Sequence, residues 1–291
     1  MAISESRVIR KKARLKEQLA LHSMLVPGVV LAFVFMILPM IGVVMAFQDY
    51  SMVKGFFGSP WVGFKYFIRI FNRPDFLTAM WNTVYIALLK IICMTVLSIL
   101  FALLMNEIMI HPVKKTVQTI LFLPYFLSWV ILGNIIINIV PTRLMQDGDW
   151  FRAIIISTDV WKTLGYQVII YLATITNIDP TLYEAAKIDG ANHMQLCRYV
   201  TVPGLMSMIV LNAILNIGNI MNAGFEQILV MYNPLVYDKG DILDTMSYRI
   251  GLLDLDYSTG TAIGLFKSVI GCGVFSFSYW LAYKVKGYKI F

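Results

Sequence analysis

Long apolar runs separated by shorter polar stretches make up most of this chain. An α-helix needs about 20 mostly apolar residues to cross a hydrocarbon layer about 30 Å thick. Within that layer the backbone must satisfy its own hydrogen bonds, which a helix does inside one segment. The pattern therefore predicts an all-α membrane protein with six transmembrane helices. The six runs are 24–47, 83–105, 119–140, 160–176, 205–223 and 261–283.

The overall composition agrees with this pattern. Of the 291 residues, 58% are hydrophobic and 14% are charged, and the mean hydropathy is +0.72. Soluble domains have about 45–50% apolar and about 25% charged residues. We therefore expect one transmembrane domain over residues 24–283, with an inner loop at 177–203, a basic cytoplasmic segment at 1–23 and a cytoplasmic tail at 284–291.

Lysines and arginines lie mainly next to the ends of the apolar runs. Cytoplasmic loops of membrane proteins are enriched in these residues, so they indicate the direction of the spans. Here they predict cytoplasmic termini in a multi-pass protein of the cell membrane. This placement explains the formal charge of +7 without a nucleic-acid partner. The flanking cations are Arg7, Arg10, Lys11, Lys12, Arg14 and Lys16 before the first run, and Lys284, Lys286 and Lys289 after the last.

Residues that could carry catalysis or ATP hydrolysis are not grouped in this sequence. It has no glycine-rich phosphate-binding motif, and no acidic residue falls inside a predicted span, although Asp159 comes just before the fourth. Cys93, Cys197 and Cys272 do not have the spacing of metal ligands. We predict that the chain has no catalytic residue and no metal site, and that it binds no cofactor itself. An intramembrane enzyme or a scaffold is the less favoured alternative.

The polar stretch between the fourth and fifth runs contains the signals of a short helix. Asp179 can cap the start, with Pro180 at the first helical position, where its missing N–H is not needed. Gly190 can adopt the left-handed conformation that ends a helix. Pro203 is compatible with the start of the next helix. The loop at 177–203 is therefore predicted to hold a short helix parallel to the membrane on the cytoplasmic side.

The same loop carries a spaced motif. Its elements are Glu184-Ala185-Ala186, Gly190, Val200, Val202 and Pro203. In this pattern the chain resembles the membrane subunits of binding-protein-dependent ABC importers (type I, maltose-transporter-like), whose signature is E-A-A, three residues, G, nine residues and I-x-L-P. The two valines replace the usual Ile and Leu. The segments Val62–Phe67 and Asn106-Glu107 are similar to sugar-importing members, most of all to the permeases for oligosaccharides and polysaccharide fragments of Gram-positive bacteria.

The resemblance implies a permease subunit that translocates oligosaccharide into the cell and leaves hydrolysis to a separate ATPase, which would bind ATP and Mg. It also implies three kinds of partner: a second homologous permease, two ATPase subunits and an extracellular or lipid-anchored solute-binding protein. Another solute, such as glycerol phosphate or a peptide, is the alternative. The residues implied in coupling to the ATPase are Tyr183, Glu184, Ala185, Ala186, Asp189, Gly190 and Ala191.

Amide and aromatic side chains within the spans are candidates for the solute path. Four asparagines of the fifth run follow spacings of four, three and three residues, which would place them on one face of a helix. Amides can exchange hydrogen bonds with sugar hydroxyls, but they can also tie helices to each other in lipid. Both interpretations stay open. The candidates are Asn212, Asn216, Asn219 and Asn222 in the fifth run, Asn134 and Asn138 in the third, and Gln167 and Tyr171 in the fourth.

Two lysines, Lys90 and Lys267, lie inside predicted spans, roughly two helical turns from the outer end. A lysine in lipid can extend its side chain to the membrane surface and keep its charge in water. It can instead line a water-filled outer vestibule, where it would suit an anionic solute. The sequence does not decide between these two interpretations.

Overall fold

The computed structural model describes residue 18 and residues 22–286, and these residues form a helical fold. The basic residues 7–16 and Lys289, on which the predicted direction depends, lie outside the described residues. In the described part the chain has one isolated β-bridge, between Gln48 and Trp61. The helices are α1 (His22–Phe47), α2 (Gly55–Gly58), α3 (Lys65–Phe71), α4 (Pro74–Asn106), α5 (His111–Phe122), α6 (Trp129–Ile139), α7 (Thr142–Met145), α8 (Gly148–Thr176), α9 (Pro180–Ile188), α10 (His193–Gly218), α11 (Phe225–Met231), α12 (Tyr237–Gly240), α13 (Leu243–Tyr248) and α14 (Tyr257–Lys286).

Four of these helices are long and apolar enough to cross a membrane. Among the described residues they are α1, α4, α10 and α14, which overlap the first, second, fifth and sixth predicted runs. A fifth span is added if α5 and α6 together count as one. The fourth predicted run forms the second half of α8, a 29-residue helix that is not among these four. The all-α membrane fold is confirmed, whereas the number of six spans stays a prediction.

The third apolar run is bent rather than straight. A 3₁₀ turn at Leu123–Phe126 follows α5, and Leu127 is extended with ψ of 135°. Ser128 then starts α6, because its hydroxyl accepts a hydrogen bond from the backbone N–H of Ile131 at 3.3 Å. The two halves meet at 99°. The continuous helix expected over 119–140 is therefore broken by the turn and by this cap.

The fifth apolar run is also displaced from its predicted bounds. The helix α10 begins at His193, passes through a π turn at Cys197–Thr201 and ends at Gly218. Asn219 is the C-cap residue, and its N–H bonds to the carbonyl of Leu215 at 3.2 Å. The expectation that four asparagines share one helical face is therefore wrong, because Asn219 and Asn222 lie beyond the helix end.

The helices α4 and α8 form the centre of the packing. Around them the apolar core contains fully buried side chains such as Ile86 and Ile155 in one half and Tyr171 in the other. By contrast, α1 exposes most of its apolar side chains. In a bilayer, lipid or another membrane helix can cover such a surface, since lipid tails are as apolar as leucine.

The helices α5 and α8 approach each other closely at Gly165. A Cβ atom at this position would lie 2.3 Å from the carbonyl oxygen of Leu121, which is backbone and cannot turn away. We expect Gly165→Ala to separate the helices and to destabilise the solubilised protein by about 1–3 kcal/mol, measured as a lower midpoint of thermal unfolding. Gly273→Ala is the matched control, because nothing lies within 4 Å of its Cβ. Equal midpoints for the two variants would contradict the proposed contact.

Candidate solute path and coupling helix

A cavity of about 400 Å³ lies between α4, α8 and the end of α10. It brings together Asn216, Asn219 and Asn222 with Gln167 of α8. These four candidates come from two separate runs of the sequence, and their amides can both donate and accept hydrogen bonds. The structure therefore groups half of the predicted path residues around one cavity.

The other predicted path residues lie elsewhere. Asn134 and Asn138 are exposed on α6, where their side-chain amides bond to backbone carbonyls of their own helix at 2.6 and 2.7 Å. Tyr171 is fully buried in the core between α4, α8 and α10. Asn212 is half-buried on α10 but does not line the cavity. These four positions are thus not part of the cavity wall.

Lys90 is buried beside the cavity, and it does not extend to the membrane surface. Its Nζ donates hydrogen bonds to the carbonyl of Ala223 at 2.8 Å and to Oε1 of Gln227 at 2.6 Å. A carboxylate oxygen of Asp159 lies 3.6 Å from the same nitrogen. Of the two interpretations of Lys90, snorkelling is therefore excluded, because the ammonium is held inside the fold by three protein groups.

Asp159 lines the cavity, although in the sequence it comes just before the fourth predicted span. It lies within α8, because that helix begins at Gly148, where Asp147 caps the first turn by accepting from the N–H groups of Asp149 and Trp150. The capping pattern at Asp147-Gly148 is the sequence signal that could have extended the helix. Asp159 is partly exposed to the cavity and neutralises the charge of Lys90.

Two stacked tyrosines form an aromatic wall of the same cavity. The rings of Tyr125 and Tyr166 are 4.9 Å apart and nearly parallel, with 8° between their planes. Tyr125 belongs to the turn after α5, and Tyr166 to α8. Sequence reasoning missed both, because they meet only when the bent third run packs on α8. Flat apolar rings beside amides suit the mixed surface of a sugar.

Lys267 is also paired with protein groups. Its Nζ donates to both carboxylate oxygens of Asp244, at 2.6 and 2.8 Å, and to Oδ1 of Asn222 at 2.7 Å. A protonated lysine has three donors, so these contacts use all of them. The two intramembrane lysines therefore approach the chain segment after α10 from different helices, and each has its own carboxylate partner.

The helix α9 forms in the loop at 177–203, as the capping signals predict. A side-chain oxygen of Asp179 accepts from the N–H of Thr181 at 2.9 Å, and this backbone bond lowers the pKa of the carboxyl. Gly190 has φ of +79°, the left-handed conformation that favours glycine. The N–H of Ala191 then bonds to the carbonyl of Ala186 at 2.9 Å and closes the helix end.

One side of α9 is attached to α10 and the other is open. The hydroxyl of Tyr183 lies 3.0 Å from Oγ1 of Thr201 in the π turn, which joins the two helices. Glu184 and Ala185 are exposed. Leu182 is 53% exposed and Ile188 is 86% exposed. The helix α9 thus offers an apolar and acidic surface, and both of its ends are capped.

Metal ligation is not suggested by this geometry. In the part of the chain that the structure describes, no three His, Cys, Asp or Glu side chains converge in a way that could hold an ion.

The chain belongs to the family described as binding-protein-dependent transport system inner membrane component, whose profile matches residues 94–287. It is therefore a membrane permease component of such a transport system. It is 37% identical to the polygalacturonan/rhamnogalacturonan transport system permease protein YteP of Bacillus subtilis, over 90% of this chain and 88% of that protein. It is 38% identical to Protein LplB of the same organism, over 89% and 87% of the two chains.

A solved structure shares the fold. It is a chain in the crystal structure of a bacterial ABC transporter involved in the import of the acidic polysaccharide alginate. The TM-score is 0.86 at 32% sequence identity, and the match covers 95% of this chain and 99% of that chain. A second structure, of the alginate transporter with a pentasaccharide-bound periplasmic protein, matches with a TM-score of 0.84 at 31% identity, over 96% of this chain and 99% of that one. The fold expected from the loop motif is confirmed.

Proposed function

We propose that this chain translocates oligosaccharides into the cell as one permease subunit of an ABC importer. The observation that carries the proposal is the cavity at the end of α10, where three asparagines and a glutamine face two stacked tyrosines. Sugar-binding sites need hydrogen-bonding groups for the hydroxyls and an apolar surface for the ring faces. The cavity offers both.

The printed names of the relatives support a saccharide as the solute. YteP is named for polygalacturonan and rhamnogalacturonan, and the solved transporter imports alginate. An arabinooligosaccharide permease of Bacillus subtilis, AraP, is 25% identical over 84% of this chain and 82% of its own length. Polysaccharide fragments are therefore the solute class that we propose for this chain.

The alternative of a phosphate ester such as glycerol phosphate loses its main argument. That alternative depended on free ammonium groups at Lys90 and Lys267. Both lysines instead have carboxylate partners, Asp159 and Asp244, and their remaining protons are bonded to protein oxygens. A phosphate would have to displace these partners, which is costly for buried charges.

We also propose that α9 docks on a separate ATPase, which binds ATP and Mg, while this chain has no ATPase site of its own. Its exposed apolar and acidic side chains, fixed between two capped ends, support this role. The further partners in the proposal are a second homologous permease, a second ATPase subunit and a solute-binding protein outside the membrane. The coupling surface consists of Tyr183, Glu184, Ala185, Ala186, Asp189, Gly190 and Ala191.

The proposed path is tested by replacing one cavity amide. We expect Asn216→Leu to reduce saccharide uptake at least about tenfold, because a buried polar solute then lacks a hydrogen-bond partner at that wall. Asn134→Leu is the matched control, since Asn134 is an exposed amide outside the cavity. Uptake is measured in proteoliposomes that contain the whole transporter and its binding protein.

The uptake panel contains galacturonan, rhamnogalacturonan, alginate, arabinan and maltodextrin oligomers, with glycerol 3-phosphate and a tripeptide as competing classes. Import of the phosphate or the peptide, with no oligomer imported, would overturn the carbohydrate assignment. Equal losses in the Asn216 and Asn134 variants would show that the cavity is not the path.

A further inference from the structure

A second and larger cavity adjoins the one described above. Its volume is about 780 Å³, and it lies between the C-terminal part of α1, the helix α13 with the turn that follows it, and the first half of α14. Asn222 lines both cavities. The two spaces are therefore neighbours, and they meet at the segment that follows α10.

The wall of the larger cavity contains a charged pair that is unsuited to lipid. Asp244 and Lys267 lie 2.6 Å apart, and their side chains are 23% and 17% exposed. Ionised side chains at membrane depth face a bundle interior or a water-filled space, because they are expensive in hydrocarbon. This pair therefore indicates a polar occupant, either water or a hydrated solute, on this side of α14.

Lys267 determines the orientation of the Asn222 side chain at the border between the two cavities. A lysine can only donate, so the group of Asn222 that faces it must be the amide oxygen. That oxygen is 2.7 Å from Nζ. The amide nitrogen of Asn222 consequently turns toward Asn219, whose Oδ1 lies at 3.4 Å. A directed series of hydrogen bonds thus runs from the larger cavity into the wall of the smaller one.

An aromatic side chain completes the larger cavity. Tyr248 lines it, and its ring centroid is 5.8 Å from that of Phe225, which lines it too. Within the described part of the chain, the Tyr248 hydroxyl is not engaged in a hydrogen bond. Ring faces and a charged pair therefore occur together, as they do in the smaller cavity.

We propose that the larger cavity is a second saccharide-binding site, in series with the first, with Asn222 at their border and Lys267 as the residue that positions it. This proposal rests on the proposed carbohydrate function. Together the two cavities accommodate a longer oligosaccharide than either does alone, so the second site contributes binding energy only to solutes long enough to reach both.

Chain-length dependence of uptake tests this second site. The whole transporter is reconstituted with its binding protein, and KM is measured for the di- and pentasaccharides of the panel above. We expect Tyr248→Ala to raise KM for the pentasaccharide roughly tenfold, equivalent to about 1.4 kcal/mol, and to change KM for the disaccharide less than twofold. Tyr283→Ala is the control, because Tyr283 is exposed and lines neither cavity.

Two further variants keep the test independent of folding. Tyr248→Leu retains the bulk of the side chain and replaces the alanine variant if that variant does not assemble. We expect it to show the same dependence on saccharide length. The double variant Lys267→Met with Asp244→Asn removes the positioning contact without leaving a carboxylate unpaired. It should likewise raise the ratio of the KM for the pentasaccharide to the KM for the disaccharide.

Equal changes for both saccharide lengths, or no change, would overturn the second site and leave carbohydrate import intact. If the unaltered transporter imports no saccharide, the proposed function itself fails, and this inference fails with it.

Discussion

Replacing Lys90 with methionine should lower the free energy of unfolding by about 3–5 kcal/mol, the usual cost of breaking a buried ion pair from one side. The ammonium lies in the protein interior, 3.6 Å from Asp159. Its loss leaves that carboxylate without a counter-charge. It also leaves the carbonyl of Ala223 and Oε1 of Gln227 without the donor they now share. An acceptor that loses its bond inside a protein retains its full desolvation cost.

The measurement is the thermal unfolding of the solubilised protein, with its yield in the membrane as a second readout. Lys115→Met is the matched control, because this lysine is exposed and its side chain is in none of the buried contacts. The double variant Lys90→Met with Asp159→Asn should recover part of the loss, since the unpaired charge is then removed. If Lys90→Met were as stable as Lys115→Met, Lys90 would not hold the segment after α10.

The helix α9 could be predicted in detail because its signals are local. A cap at Asp179, a proline in the first turn and a glycine at the end act within a few residues of each other. Each of these contacts joins residues that are close in the sequence. The spacing from Glu184 to Gly190 is therefore visible in the sequence, and the structure realises it with little influence from distant packing.

The cavity could be predicted only in part because it depends on contacts between distant segments. The asparagines of the fifth apolar run and Gln167 are visible in the sequence as polar residues in apolar runs. Asp159 and Tyr125 were not, since nothing near them in sequence indicates their partners. Lys90 meets Asp159 across α4 and α8, and Tyr125 reaches Tyr166 only because the chain bends before Ser128.

The two intramembrane lysines illustrate the same limit. Sequence reasoning treats each as an isolated charge in an apolar run, for which the membrane surface is a reasonable destination. The structure gives both of them partners in the short segment between α10 and α11, through Ala223 and Asn222. A helix that ends at Gly218, instead of continuing through residue 223, exposes the backbone carbonyl and the amide that these lysines bind.

Replacing Gly190 with proline should reduce ATP-driven uptake by about a hundredfold, on the proposal that α9 transmits ATPase closure to the spans. Proline fixes φ near −65°, whereas Gly190 has φ of +79°. Proline also removes the N–H that bonds to the carbonyl of Lys187 at 3.0 Å. The helix end must then rearrange, so Glu184 and its neighbours would no longer meet the ATPase at the required angle. Small misplacements at such an interface can cost large factors in rate.

Gly190→Asn is the matched control, because asparagine tolerates the left-handed conformation better than other residues with a side chain. No other atom lies within 4 Å of a Cβ at this position, so the asparagine variant should fit and retain most uptake. Uptake and ATP hydrolysis are measured together in proteoliposomes.

Glu184→Lys should also uncouple ATP hydrolysis from uptake, because it reverses the charge of an exposed residue on the proposed docking surface without changing the helix end. Normal uptake in both Gly190→Pro and Glu184→Lys would exclude α9 as the coupling element, since one variant alters its geometry and the other its charge.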